Sequence, residues 1–205
     1  FAYVLKCVAG KSVLNVGAAG GVRGYLPNSR DCWLHHRLGL AASELVGVDI
    51  DADGIAYANG FGVNIEYANC EIMDMGRKFD AIVLSDVIEH MNAPVTGVCN
   101  LMAHLQVGGK LFITTPNPTA INLMARAILG RNINTYWDHV SCFSPEHIQT
   151  ICDRYGFQLS DIHFFDHIDR QNFSNIIKSH LAKIISTVNP RLSTSYLAVI
   201  ERENK

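Results

Sequence analysis

The sequence predicts an α/β domain with a largely parallel sheet covered by helices on both faces, and three observations carry that expectation. Seven short apolar runs alternate with stretches whose apolar residues recur every three or four positions. Glycine and proline clusters punctuate the joins. The side chains best suited to chemistry fall just beyond the ends of the runs, which is where open α/β sheets bind ligands. A chain of 205 residues is expected to form one domain over 1–205.

The runs come in order. Ser12–Val16 ends at the small-residue cluster Gly17-Ala18-Ala19-Gly20-Gly21, as a buried strand entering a tight turn would. Leu45–Ile50 leads into the acidic stretch Asp49-Ile50-Asp51, and Val63–Ala68 alternates weakly as a third strand. Ala81–Leu84 follows Phe79-Asp80, and Lys110–Thr115 is β-branched and bounded by Gly108-Gly109 and Pro116. Phe157–Phe164 and Ser195–Glu201 complete the seven. Strands alternating with helices require crossover connections and therefore a mostly parallel sheet.

Two helices are well marked between them. Pro94 suits a first turn, and Val95, Val98, Cys99, Met102 and Leu105 recur on one face. Ser144-Pro145 caps a second helix with inner face Ile148, Ile151, Cys152 and Tyr155, ended by Gly156. Two stretches exceed a minimal alternation and are expected to act as lids, 119–137 and 166–191. The first contains the apolar helical segment Ile121–Leu129. The second carries an amphipathic stripe through Phe173, Ile177, Leu181, Ile184 and Val188, for which packing on the sheet or dimerisation is an equal reading. The connection of about 27 residues from Gly21 to Asp49, with Trp33, His35 and His36, has no assigned role.

Composition sets the outer bounds. Hydrophobic residues make up 48% and charged residues 18%, enough for a core and too apolar for a disordered chain. A net charge of −2 argues against nucleic acid as a partner. No apolar run approaches the roughly 18 residues of a bilayer span. Six cysteines without any C-x-x-C pair read as reduced thiols of a cytoplasmic protein. The chain opens on Phe1 rather than Met, which leaves room for a preceding segment. No feature specifies an oligomeric state.

The turn after the first strand and the acid after the second form a pair of features. Small side chains let a ligand approach the turn, whose N–H groups can donate to it, while a carboxylate at Asp49 can accept from ribose hydroxyls. Together they indicate a nucleotide-like ligand. A nicotinamide dinucleotide is disfavoured, because G-x-G-x-x-G starting at Gly17 would need glycine at Ala19 and Val22.

The segment Val13–Gly21 resembles motif I of class I S-adenosylmethionine (SAM)-dependent methyltransferases, and Asp49 matches their ribose-binding acid. Tyr67-Ala68-Asn69-Cys70-Glu71 resembles their adenine-side motif. Phe79 to His90 resembles motif IV with its following Glu-His, and Leu105–Leu111 and Thr115-Pro116-Asn117 resemble the segments framing the fifth strand. The resemblance implies a Rossmann-like seven-stranded, mostly parallel sheet with helices on both faces, and methyl transfer from SAM. It places Asn15, Gly17, Ala18, Ala19, Gly20, Gly21, Asp49, Ile50, Glu71, Ile72 and Ser85 at the cofactor. Two departures stand out: Asn15 where an acid is common, and Ala19 where glycine is common. A non-catalytic binding subunit on the same fold is the alternative.

Methyl transfer from a sulfonium needs an aligned nucleophile and, for a hydroxyl, a route for its proton. His90, His139 and Glu89 are the candidate catalytic groups. Asp86-x-x-Glu89-His90, with His139 in Trp137-Asp138-His139-Val140, resembles ubiquinone-pathway O-methyltransferases and small-RNA 3′-terminal 2′-O-methyltransferases. That resemblance implies a divalent cation such as Mg²⁺ on Asp86, Glu89, His90 and His139. Base catalysis by His90 or His139 without metal, and a purely structural role, stay open beside it. The other histidines read as surface or packing residues. The expected acceptor is a small-molecule, sugar or lipid-linked hydroxyl.

Overall fold

The computed structural model describes residues 1–133, 136–166, 180 and 183–203. Seven strands form one sheet: β1 (Ser12–Val16), β2 (Glu44–Asp49), β3 (Glu66–Tyr67), β4 (Phe79–Ser85), β5 (Leu105–Pro116), β6 (Gln158–Phe165) and β7 (Ser195–Glu201). Their order is β3-β2-β1-β4-β5-β7-β6. All neighbours are parallel except β7, which runs antiparallel to both β5 and β6. The expected Rossmann-like, mostly parallel sheet is therefore present.

The period-two alternation sorts the core into two layers. Leu14 and Val16 of β1, Ile82 and Leu84 of β4, and Leu111 and Ile113 of β5 face one side. There they meet Val98, Leu101 and Met102 of α5 (Pro94–Ala103) and Ile148, Ile151 and Cys152 of α7 (Pro145–Tyr155). Val13, Ala81, Val83 and Phe112 face the other side, against Val4 and Val8 of α1 (Ala2–Val8) and Leu38 of α3 (Leu34–Ala41). Both faces of the parallel strands are thus covered, as backbone and side chains of such sheets require. A third cluster joins Ala18, Ala19, Val22 of α2 (Val22–Tyr25), Trp33, and Ile55 and Ala58 of α4 (Ala52–Gly60) beneath the turn after β1.

Several boundaries differ from the sequence expectation for identifiable reasons. The third strand shrinks to the exposed pair Glu66–Tyr67, because it is an edge with one partner. The fifth begins at Leu105 rather than Lys110, and Leu105 is therefore a strand residue, not the end of α5. Gly108-Gly109 lie inside that strand, where the register with β4 slips between Phe79 and Ala81. Gly109 has no room for a Cβ, which would stand 2.9 Å from the Gln106 carbonyl and 3.0 Å from that of Asp80. The long Gly21–Asp49 connection holds α2, a 3₁₀ turn at Arg30–Cys32 and α3, so it is structured packing and not an open loop. Helix α7 starts and stops where its caps predict: Ser144 and His147 form a reciprocal capping box, and Gly156 closes it at φ 70°.

Of the two expected lids, the first contains α6 (Ile121–Ile128), which has no buried residue. In the second, 167–179 and 181–182 lie outside the described residues, and 183–188 are helical. All six cysteines are free, with Cys70 and Cys152 buried and Cys32 and Cys142 exposed. No helix among the described residues is long and apolar enough to cross a membrane.

Phe79 is fully buried where β4 enters the core. Phe79→Ala should cost about 3–5 kcal/mol of unfolding free energy, read from the denaturant midpoint at unchanged slope.

Candidate active site

Because β1, β2 and β4 are parallel neighbours, their carboxyl ends open at one edge of the sheet. A cleft lies there, lined by Val16 and Gly17 after β1, Asp49 and Ile50 after β2, and Ala68 to Glu71 after β3. Its far wall is Val87, His90, Met91 and Asn92, which follow β4.

The turn after β1 is fixed from within. Gly17 turns at φ 76°, in the left-handed region that favours glycine. Gly17 and Ala18 N–H both donate to the Val48 carbonyl, at 2.9 and 3.0 Å. Ala19 N–H donates to Asp49 Oδ2 at 2.8 Å, and Gly20 N–H to the Gly17 carbonyl at 3.2 Å. The amides of 17–20 are thus committed inside the protein, contrary to the expectation that they donate to a ligand. What the turn offers is its lack of bulk.

Asp49 stands at the cleft wall as expected, held by three backbone donors. Besides Ala19, its Oδ1 accepts from Ile50 and Asp51 N–H at 2.7 and 3.0 Å. A carboxylate has about four acceptor positions, so about one is left for a ribose hydroxyl. Glu71 also lines the cleft, its Oε1 accepting from Asn92 and Ala93 N–H at 2.8 and 3.1 Å. Ile50 and Ile72 are exposed apolar side chains at the same edge.

Other predicted cofactor residues are placed differently. Asn15 is 3% exposed and turns inward, its Nδ2 donating to His35 Nδ1 at 3.1 Å. Ser85 pairs with Thr114 through their hydroxyls at 2.8 Å. Ala18, Ala19, Gly20, Gly21, Ile72 and Ser85 are not among the residues that line the cleft. Asn69, Cys70, Met91 and Asn92 do line it and were missed. Asn69 and Cys70 carried a signal, lying inside the quoted Tyr67–Glu71 segment.

At His90, in the cleft wall, the structure brings three of the four predicted ligands together. One ligand atom each from Glu89, His90 and His139 lies within 4.8 Å of the others. Asp86 stays outside this group: it is exposed, and at φ 52° it sits before the 3₁₀ turn Ile88–His90 instead of sharing a helical face with it. It is the one non-glycine residue with positive φ among those described.

Glu89 is 1% exposed. Its Oε2 accepts from the Thr115 hydroxyl at 3.0 Å, and its Oε1 is buried with no hydrogen-bond partner among the described residues. Burial, reinforced by the Asp86 charge, pushes its pKa up to about 7. His139 is shifted down by burial and by the neighbouring His90. His90 Nδ1 lies 3.0 Å from both Asp138 Oδ2 and the Asp138 carbonyl. Both are acceptors, so Nδ1 carries a proton and points away from any acceptor hydroxyl. The His90 and His139 rings meet edge-on at 4.8 Å, and Tyr136 contacts both. Val140 and Ser141 N–H donate to the Glu89 carbonyl at 3.0 and 3.2 Å, which fastens this loop to the end of β4. Asp138 and Thr115 hold His90 and Glu89 by hydrogen bonds, and sequence reasoning missed them. Each lies inside a motif of the sequence, Thr115-Pro116-Asn117 and Trp137-Asp138-His139-Val140, but only the fold brings them to His90 and Glu89.

An orphaned buried carboxylate oxygen beside two imidazoles fits a divalent cation as a set of hard and borderline donors. The cleft beside the small-residue turn, with an acid fixed at its wall, fits a nucleoside-bearing cofactor. Together these define a class I SAM-dependent methyltransferase domain. The chain belongs to the methyltransferase-domain family, whose sequence profile matches residues 2–162. The rat mitochondrial ubiquinone biosynthesis O-methyltransferase is 26% identical over 175 residues, covering 77% of this chain and 47% of that protein. The Actinobacillus pleuropneumoniae (serotype 7, strain AP76) ubiquinone biosynthesis O-methyltransferase is 27% identical over 122 residues, covering 54% of this chain and 47% of its own. The chain thus spans about half the length of these curated relatives. Among solved structures, a SAM-dependent methyltransferase from Archaeoglobus fulgidus superposes with TM-score 0.64 at 18% identity, over 97% of this chain and 89% of its own. Magnesium protoporphyrin IX methyltransferase from Synechocystis with bound S-adenosylhomocysteine gives 0.65 at 14% identity, over 98% and 80%. Both likenesses concern the fold.

Two predictions follow from the geometry. Asp49→Ala removes a charged acceptor, and S-adenosylhomocysteine affinity should fall roughly tenfold to a hundredfold by calorimetry, about 1.5–3 kcal/mol. Unchanged affinity in a folded variant would take Asp49 out of the site. For Glu89 the folded pKa of about 7 stands above its ordinary 4.5. Its contribution to stability is therefore complete below the lower value and lost as pH rises through the higher one. In chelator-treated protein, Glu89→Gln should lose less thermal stability than wild type between about pH 5 and about pH 8. Equal losses would show that Glu89 ionises normally.

Proposed function

We propose that this domain transfers the methyl group of SAM to a hydroxyl of a small-molecule, sugar or lipid-linked acceptor. One observation carries the reading: His90 lines the cofactor cleft and also belongs to the Glu89–His90–His139 cluster. A group able to handle an acceptor proton thus borders the place where the cofactor binds. The names of the similar ubiquinone-pathway enzymes support oxygen as the accepting atom.

The cofactor supplies an electrophilic methyl group for in-line displacement. The protein's share is to align the hydroxyl and take its proton. Asp138 holds His90 through Nδ1, and in the neutral ring Nε2 presents a lone pair. Thr115 holds one oxygen of Glu89, and the other is buried without a hydrogen-bond partner among the described residues. A divalent cation held by Glu89, His90 and His139 would lower the hydroxyl pKa. Asp86 contributes negative charge from outside that set, as its effect on the Glu89 pKa indicates. The Asp138–His90 pairing favours a second reading, in which His90 accepts the proton without metal. Residues 119–133 and 136–137 cover the acceptor side in this proposal, since the chain leaves β5 at the same sheet edge; 134 and 135 lie outside the described residues. The six free thiols fit a reducing compartment such as the cytoplasm.

The test is SAM consumption against catechols, glycosyl hydroxyls, carboxylates and amines, after chelation and after resupply of Mg²⁺, Mn²⁺ or Zn²⁺. Turnover should need a hydroxyl acceptor, fall with chelation and return with a cation. Glu89→Ala and His139→Ala should each lower kcat by about 10²-fold or more. Full turnover in the chelated enzyme removes the metal, and full activity in both variants removes these side chains. Asp138→Asn separates the second reading, because it should lower kcat even where no cation is required.

A further inference from the structure

Asn15 occupies the middle of the sheet, with Gly47 of β2 on one side and Val83 of β4 on the other. It is 3% exposed, and its sheet face is otherwise apolar, with Val13, Val83 and Leu38. A polar amide there is costly unless paired. Its partner is His35, from the first turn of α3, which is itself 5% exposed. Burial lowers the His35 pKa to about 4, so the ring is neutral at ordinary pH. The Asn15 amide donates to Nδ1, which places the ring proton on Nε2.

The ring reaches this position through a notch. A Cβ at Gly47 would stand 2.5 Å from His35 Cε1, 3.1 Å from Nε2 and 3.1 Å from the Ala18 side chain. Gly47 therefore leaves one space that His35 and Ala18 share. The buried Trp33 ring packs beside the imidazole, with centroids 5.1 Å apart. Ala18 is the second residue of the cofactor turn, and its N–H is tied to Val48, the neighbour of Gly47. A buried hydrogen-bonded pair thus reaches the base of the turn from a helix that has no place in the cleft lining.

We propose that His35 is a positioning residue for the cofactor turn, seating Asn15 and Ala18 so that residues 17–19 hold their binding shape before the cofactor arrives. The inference rests on cofactor binding at this turn and not on the acceptor or the metal. His35→Leu keeps volume but leaves the Asn15 amide without an acceptor. Gly47→Ala keeps both polar groups and crowds the ring out of its notch. His35→Asn retains an acceptor near the Nδ1 position.

The experiment measures S-adenosylhomocysteine affinity by calorimetry and amide hydrogen exchange along the chain. Wild-type binding comes first, and its absence would refute cofactor binding itself. Given wild-type binding, His35→Leu and Gly47→Ala should each weaken affinity roughly tenfold. Exchange should accelerate at residues 17–20 more than in the core strands β4 and β5, and His35→Asn should recover most of the affinity. Wild-type affinity in either folded variant overturns the proposal. So does a loss of thermal stability in which exchange rises evenly over the sheet. If His35→Leu does not fold, Gly47→Ala and His35→Asn decide by the same criteria.

Discussion

The parallel pairing of β1 with β2 and β4 is the constraint on which the rest of this domain depends. Parallel neighbours cannot be joined by tight turns, so each strand must be followed by a crossover that returns to the opposite edge. The chain consequently leaves β1, β2 and β4 at the same edge, and Gly17, Asp49 and Asp86 emerge side by side. The Val48 carbonyl sharpens this arrangement by accepting from both Gly17 and Ala18. Asp49, one residue further on, then accepts from Ala19, so strand pairing and turn geometry form one continuous hydrogen-bonded unit.

The same edge gathers charges that would be costly elsewhere. Glu89 is buried as deeply as the leucines around it, yet it is a carboxyl with one oxygen unanswered. Its raised pKa and the depressed pKa of His139 share a cause, since burial penalises whichever form is charged. An acid and a base shifted in opposite directions, with ligand atoms within 4.8 Å of each other, are a donor set suited to a cation. A plain structural ion pair would instead favour the charged form of both. Perturbed groups of this kind cluster where proteins do chemistry.

Much of this was legible in the sequence, and the legible part has a physical pattern. Strands β1, β4 and β7 are buried on both faces and read as apolar runs. The ends of α7 could be located to the residue because Ser144 and Gly156 act locally through backbone hydrogen bonds, whereas the capping role of His147 was not read. Glu89, His90 and His139 were identified as candidates, but their grouping without Asp86 depends on the left-handed backbone at Asp86, which nothing in its side chain announces. Asp138 and Thr115 were not identified, because they act across 48 and 26 residues of sequence. The inward turn of Asn15 was equally hidden. Its partner comes from a connection with no recognisable motif, and the notch that admits the partner is the absence of a side chain at Gly47.

Asn117 closes the account of the segment between β5 and α7. Its amide is fully buried and donates to the carbonyls of Arg191 and Ser193 at 2.8 Å each, while its Oδ1 accepts from Thr119. At the other end, Val140 and Ser141 are fastened to Glu89. The excursion from the sheet is therefore clamped at one root by the Asn117 and Thr119 side chains and at the other by the Val140 and Ser141 amides. Such a segment can change length and composition over evolutionary time without disturbing the strands beneath it. Under the proposed function, selection for a new acceptor would act on the stretch ahead of Asp138 and His139, leaving the cofactor half of the molecule as inherited.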